Sequence, residues 1–140
     1  MANLAPATSN VRRGTNSSPR RGIAGATIAP CDVIYLDPAD QTLKLADADG
    51  GAAGDPIRNF RGIAVNGASA GQDVDYVSAD DDFTPGATLI PGTPYFMSMT
   101  PGKLCELADL TAGATVTFIG IAKDAVKLRV APAAGGQVPS

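Results

Sequence analysis

Short apolar runs separated by glycine, proline and aspartate recur along the chain, and most of them have the period of a strand. Thr27-Ile28 and Val33-Ile34-Tyr35-Leu36 are β-prone runs on either side of Pro30. Asp37-Pro38-Ala39-Asp40 then predicts a turn, because proline fixes φ and aspartate bonds local backbone. Thr42-Leu43-Lys44-Leu45 alternates and predicts the return strand of a hairpin. A loop is expected over 47–55, strands over 58–65 and 74–77, and an acidic loop over 78–86. The plan then returns: Thr88-Leu89-Ile90 before Pro91-Gly92, a strand from Tyr95 to Met99, a turn at 100–103, and a return strand Leu104-Cys105-Glu106-Leu107. Strands over 114–122 and 126–130 close the series. Alternation of this kind leaves one face buried and one wet, which predicts antiparallel sheets.

The return is also one of residues. Ala26-Thr27-Ile28-Ala29-Pro30 matches Ala87-Thr88-Leu89-Ile90-Pro91 at an offset of 61. Lys44-Leu45-Ala46-Asp47 matches Glu106-Leu107-Ala108-Asp109 at 62, and Phe60-Arg61-Gly62-Ile63-Ala64 matches Phe118-Ile119-Gly120-Ile121-Ala122 at 58. An ordered set of matches predicts two copies of one β unit, 26–77 and 87–130, within a single domain over 26–131. Glycine inside a strand marks a bulge, a bend or a close backbone approach. Phe60, Gly62, Phe118 and Gly120 are therefore expected to be structural residues at two equivalent corners. The predicted fold is an all-β antiparallel sandwich or jelly-roll-like barrel with an internal pseudo-repeat and an extended N-terminal arm.

Composition narrows the chemistry. Hydrophobic residues make up 44% of the 140 positions but aromatics only 5%, so a core must be built from aliphatic side chains. The net charge of −3 is unevenly spread: residues 1–25 hold Arg12, Arg13, Arg20 and Arg21 and no acid, while the remaining seven cations face fourteen acids. Residues 1–25 thus read as an extended basic arm on an acidic body, and residues 132–140 as a flexible Pro/Gly/Ala tail. The four arginines are the candidate partner-binding residues, with an acidic protein surface as a fitting partner. They lack interleaved aromatics, so no direct nucleic-acid contact is expected.

The chain has no histidine and a single glutamate, Glu106, which removes Ser-His-Asp and Cys-His catalysis. Asp47-Ala48-Asp49-Gly50 lacks the later ligands of a calcium loop, and Gly67-Ala68-Ser69-Ala70-Gly71 lacks the Lys-Ser or Lys-Thr of a phosphate loop. Cys31 and Cys105 have no metal spacing and are expected to be reduced core residues, although a disulfide stays open if the fold brings them together. No catalytic residue, cofactor or metal is expected, and the protein is not expected to be an enzyme. Met1 to Pro6 has neither the basic nor the apolar region of a secretory signal, and no run approaches membrane-spanning length, so synthesis in the cytoplasm and no membrane partner are expected.

Three blocks of sequence resemble the capsid cement, or head decoration, proteins of tailed bacteriophages. They are Arg61-Gly62-Ile63-Ala64 with Ala68-Ser69-Ala70-Gly71-Gln72; Gly92-Thr93-Pro94-Tyr95 through Pro101-Gly102-Lys103-Leu104-Cys105; and Phe118 to Ala122. The resemblance covers residues 23–131. It implies a structural virion protein that binds the outer surface of the head and clamps neighbouring major capsid protein subunits, sitting on symmetry axes as a homodimer or a homotrimer, of which the homodimer is favoured. The basic arm departs from the compact family pattern. A receptor- or carbohydrate-binding module of a virion is the alternative, against which stand the absence of Trp and the presence of only three Tyr. Segments that do not repeat, namely the arm, the loops at 47–56 and 78–86 and the tail, are the expected partner contacts.

Overall fold

In the computed structural model, residues 3, 4, 7, 10–15, 17, 19–52 and 54–137 are described, the last four by their backbone alone. They form two antiparallel five-stranded sheets. The first contains β1 (Arg20–Ile23), β2 (Val33–Asp37), β3 (Thr42–Leu45), β4 (Gly62–Ala64) and β5 (Asp73–Val77), in the order β1-β5-β4-β2-β3. The second contains β6 (Asp80–Phe83), β7 (Pro94–Met97), β8 (Leu104–Cys105), β9 (Thr115–Ala122) and β10 (Leu128–Gln137), in the order β6-β10-β9-β7-β8. The two orders coincide when each strand number of the first is raised by five. A jelly roll would pass strands back and forth between sheets; here the first sheet is complete before β6 begins the second.

The first sheet is apolar on both faces, and both are covered. β2 sends Ile34 to one face and Val33 and Tyr35 to the other, all of them buried. The inner face is enclosed because the sheet curls until its edges meet. Ala24 forms a parallel bridge with Leu43, and the Gly25 N–H donates to the Leu43 carbonyl at 2.8 Å. Ile28, Ile34, Leu43, Ala64, Ala68, Val74 and Tyr76 fill that enclosure. The outer face (Val33, Tyr35, Ile63, Val77) joins Phe83, Met97, Ile119 and Leu128 of the second sheet in the main core. Each fully buried side chain of this size contributes about 1.5–3 kcal/mol.

Bonds at equivalent places recur in the two halves. The Cys31 N–H donates to Ala64 O at 2.7 Å, and the Gly92 N–H to Ala122 O at 2.8 Å. The Ala64 N–H returns to Asp32 O at 2.9 Å, and the Ala122 N–H to Thr93 O at 3.0 Å. Ile34 pairs with Gly62, and Tyr95 with Gly120. Cys31 and Gly92 share a left-handed backbone, with φ of 73° and 81°, as do Gln41 and Gly102 in the hairpin turns, with φ of 61° and 79°. The β hairpins shift one sequence match by a residue. Tyr35 pairs with Lys44 and Phe96 with Cys105, so Lys44 corresponds to Cys105 and not to Glu106. A one-residue slip exchanges the faces of a strand, so the sequence match over 44–47 and 106–109 is not the structural one.

Gly62 and Gly120 both lie under neighbouring strands. A Cβ at Gly120 would strike the Arg129 carbonyl, and one at Gly62 would strike the Tyr76 ring and approach Val77 O to 2.9 Å. Phe118 is half-buried and packs edge-on against Phe96, with centroids 5.8 Å apart; Phe60 is half-buried against the main core. Upstream of Gly62 the expected strand is replaced by a 3-10 turn at Pro56–Arg58, because Arg58 turns inward to bond carbonyls.

The arm, the acidic loop and the tail differ from expectation. β1 lies inside the arm and pairs with β5 from Arg20↔Tyr76 to Ile23↔Asp73. The Leu4 N–H donates to Leu104 O of β8 at 2.9 Å, and Arg12 and Thr84 exchange backbone bonds of 2.9 and 2.7 Å beside β6. Val11 is 5% exposed in the main core. The described arm residues near both edges of the second sheet thus bond to their own chain, which answers the exposure of unpaired edge groups. Residues 80–83, expected as loop, are strand β6: Asp80 turns inward and accepts the Gly14 N–H at 2.6 Å, while Phe83 is buried. β10 runs through Pro132 into the expected tail. The register shifts between Val130 and Ala133, which accommodates a residue without an N–H. Arm positions 1, 2, 5, 6, 8, 9, 16 and 18, loop position 53 and tail positions 138–140 lie outside the described residues.

Candidate functional site

The four arginines divide between the sheets. Arg12 is exposed on the β6 side, with Nη1 donating to Val11 O at 2.9 Å. Arg20 and Arg21 are exposed on edge strand β1. Arg21 Nε donates to Asp75 Oδ1 at 2.8 Å, and its Nη1 stands 3.9 Å from Asp73 Oδ2. That hydrogen bond, with the Arg21 charge and the more distant charge of Arg13, holds the Asp75 carboxyl below its usual range. Arg13 and Arg21 thus both act on Asp75 of β5, Arg21 faces Asp73 as well, and Arg20 lies exposed beside Arg21 on the same edge strand. Arg13 also donates to Ser17 Oγ at 3.4 Å.

The acids that stood out in the sequence are used within the fold. Asp80 binds the Gly14 and Asp82 amides, Asp82 pairs with Lys123 at 2.5 Å, and Asp81 lies 3.7 Å from Arg129. In the 47–55 loop, Asp47 accepts the Asp49 N–H and Asp55 the Ala52 N–H. Burial, with a smaller contribution from Asp49, pushes the Asp47 carboxyl up to about 6. Buried Arg58 closes this loop onto the second half, donating to Gly50 O (2.9 Å), Gly113 O (3.0 Å) and Thr115 Oγ1 (3.3 Å). Among the described residues, no group of His, Cys, Asp or Glu is arranged to hold a metal ion, and no helix is long and apolar enough to cross a membrane. Cys31 and Cys105 are buried free thiols, pushed up to about 12 and about 11, mainly by burial.

A surface that the sequence pattern did not expose is the outer face of the second sheet. Pro94 pairs with Ile121. The return strand expected through Leu107 stops at Cys105, and Leu107 opens a short 3-10 turn, Leu107–Asp109, that lies beside β7. Pro94 is exposed, Ile121 is 44% exposed and Leu107 52%. Ile90 and Val126, also exposed, flank the Leu89 N–H bond to Ala125 O at the same end of the sheet. The only signal in the sequence was the run of apolar residues itself, which predicted burial. No protein-family model matches the chain, and no curated protein matches it.

Proposed function

We propose that the protein is a structural, non-enzymatic component of a tailed-bacteriophage head, a cement protein bound to the outer surface of the shell between major capsid protein subunits. The observation that carries this reading is the presence of two separate exposed surfaces on one cross-bonded β body. These are the Arg13, Arg20 and Arg21 edge of the first sheet, and the Pro94, Leu107 and Ile121 face of the second. A clamp must hold two neighbours at once, and a single contact surface cannot do so. Arginine is suited to ion pairs with an acidic protein surface. Many modest contacts add up when the same clamp is repeated over a shell. The likeness of residues 23–131 to the cement family supports the same reading, as does the aliphatic, His-free composition.

The test is to add the purified protein to heads assembled without it. Binding at a fixed stoichiometry and a higher temperature of DNA release are expected. Arg13→Glu combined with Arg20→Glu should weaken binding on the order of tenfold, more at low salt than at high. Heads that neither bind the protein nor gain heat resistance contradict the reading.

A further inference from the structure

We propose that Asn66 is a site of spontaneous covalent modification in the folded protein: the backbone nitrogen of Gly67 displaces the side-chain amide as ammonia and leaves aspartate or isoaspartate. Of the five asparagines, at 3, 10, 16, 59 and 66, this one alone precedes a glycine. Glycine has no Cβ to obstruct the approach of its nitrogen to the asparagine Cγ. Asn66 is half-buried and Gly67 exposed, in the loop that leaves β4 towards β5.

Both ends of the Asn66 amide are held. Oδ1 accepts the Asp75 N–H at 2.6 Å, and Nδ2 donates to Gly67 O at 3.1 Å, which folds the side chain back along the Gly67 backbone. The Asp75 N–H thus points at the oxygen that becomes negative when Gly67 N attacks Cγ. A backbone donor fixed in that place stabilises such an oxyanion. The nitrogen is also open to react: among the described residues, no acceptor lies within hydrogen-bond distance of the Gly67 N–H. Asp49-Gly50, a pair that could close the same ring, is held differently, because the Gly50 N–H donates to Asp47 O at 3.3 Å.

The step balances with water as the only co-reactant. Gly67 N gives its proton to hydroxide and bonds to Asn66 Cγ, while the carbonyl π pair moves to Oδ1. That pair returns, the Cγ–Nδ2 bond breaks, and Nδ2 leaves as ammonia with a proton from water, which restores the hydroxide. Water then opens the cyclic imide. Attack at Cγ gives aspartate; attack at the α-carbonyl gives isoaspartate, in which the chain runs through Cβ and Cγ and is one carbon longer. That carbon enters between two anchors. The Val65 N–H donates to Asp75 O at 2.8 Å, and Ala68 and Ile28 exchange bonds of 2.8 and 2.9 Å. Ile28 and Ala68 belong to the cluster that the first sheet encloses, so isoaspartate loosens that enclosure. The inference does not rest on the capsid reading, and either can fail alone.

The test is to hold the purified full chain, folded, in mildly alkaline buffer and to follow it by peptide mapping and by labelling with an isoaspartyl methyltransferase. Asn66 is expected to change ahead of the other asparagines and of Asp49, and no more slowly than in the same chain unfolded in urea. Gly67→Ala should slow the change on the order of tenfold. Gly67 lies outside the left-handed region, and a Cβ there meets Ile28 O at 3.5 Å and Pro30 Cδ at 3.6 Å, which are ordinary contacts. Circular dichroism checks that this variant is folded. The Ile28 and Ala68 amides should exchange earlier in the modified chain than in Asn66→Asp, which carries the new charge without the added carbon. Equal exchange in the two overturns the loosening. An Asn66 that stays intact in the folded chain while it changes in urea overturns the proposal, and so does a Gly67→Ala variant that changes at the wild-type rate.

Discussion

The two halves are held by the same local bonds and covered by different things. Around Ala64 and Ala122 the backbone contacts match, yet Ile63 is fully buried and Ile121 is 44% exposed. A strand pattern fixes which residues share a face; it does not fix what lies over that face. In the first half the cover is the Ser98–Lys103 turn with the 46–48 segment crossing beneath it, and among the described residues no such turn lies over Ile121 in the second half. The second half instead receives the described arm residues at its β6 and β8 edges.

The largest expected effect sharpens the comparison at the paired glycines. At Gly120 the obstacle is the Arg129 backbone, which cannot rotate away, whereas at Gly62 it is mainly the Tyr76 ring. Gly120→Ala should therefore cost about 3 kcal/mol and Gly62→Ala about 1–2 kcal/mol, read from urea midpoints. Equal costs would mean that the two sites are not differently constrained.

Next in size is Arg58, the side chain that bonds loop 50–51 of the first half to 113–115 of the second. Arg58→Met leaves those acceptors short of donors and should cost about 2 kcal/mol. Its signature is earlier exchange of amides in both halves at once, measured by hydrogen exchange.

Asp47 in the same loop gives a pH dependence. Its folded-state pKa of about 6 lies above the ordinary aspartate value of about 3.9, so the folded state holds the extra proton between these limits. Stability should therefore fall as pH rises through that window and level off above it. Asp47→Asn should remove the fall, melting above the wild type at pH ~7 and beside it below pH ~4. A variant that melts below the wild type at neutral pH would contradict this.

The smallest effect concerns the turns. Gln41 occupies the left-handed conformation that Gly102 supplies in the other half. Gln41→Gly should raise stability by about 0.5–1 kcal/mol, and Gly102→Gln should lower it by more, because Leu45 and Asp32 crowd that position. Thermal melts of the two single variants check the asymmetry.

Much of the sheet architecture was legible in the chain. The hairpin at 33–45, the strands at 73–77 and 115–122 and the glycines of the Phe-x-Gly-Ile-Ala pair follow from alternation and turn residues. β6 was hidden because three consecutive aspartates read as solvated loop; their partners, Gly14, Lys123 and Arg129, come from distant segments. The arm read as free because its contacts are mostly backbone bonds, which leave no mark on side-chain pattern, and Val11 is a single apolar residue. The tail read as flexible because Pro132 looked like a stop, and the register shift that admits it is a property of the pairing with β9. The apolar face of the second sheet was invisible for a related reason: burial of Ile63 and exposure of Ile121 depend on chain brought from elsewhere, not on the residues beside them.

That difference in cover is tested most directly by thiol labelling at the two matched positions. Ile63→Cys and Ile121→Cys are made singly, and the native thiols, buried and pushed up to about 12 and about 11, react slowly enough to leave the new one distinct. In dilute protein, Ile121→Cys should react on the order of a hundredfold faster than Ile63→Cys, which is reached only by local opening. Equal rates would contradict the account.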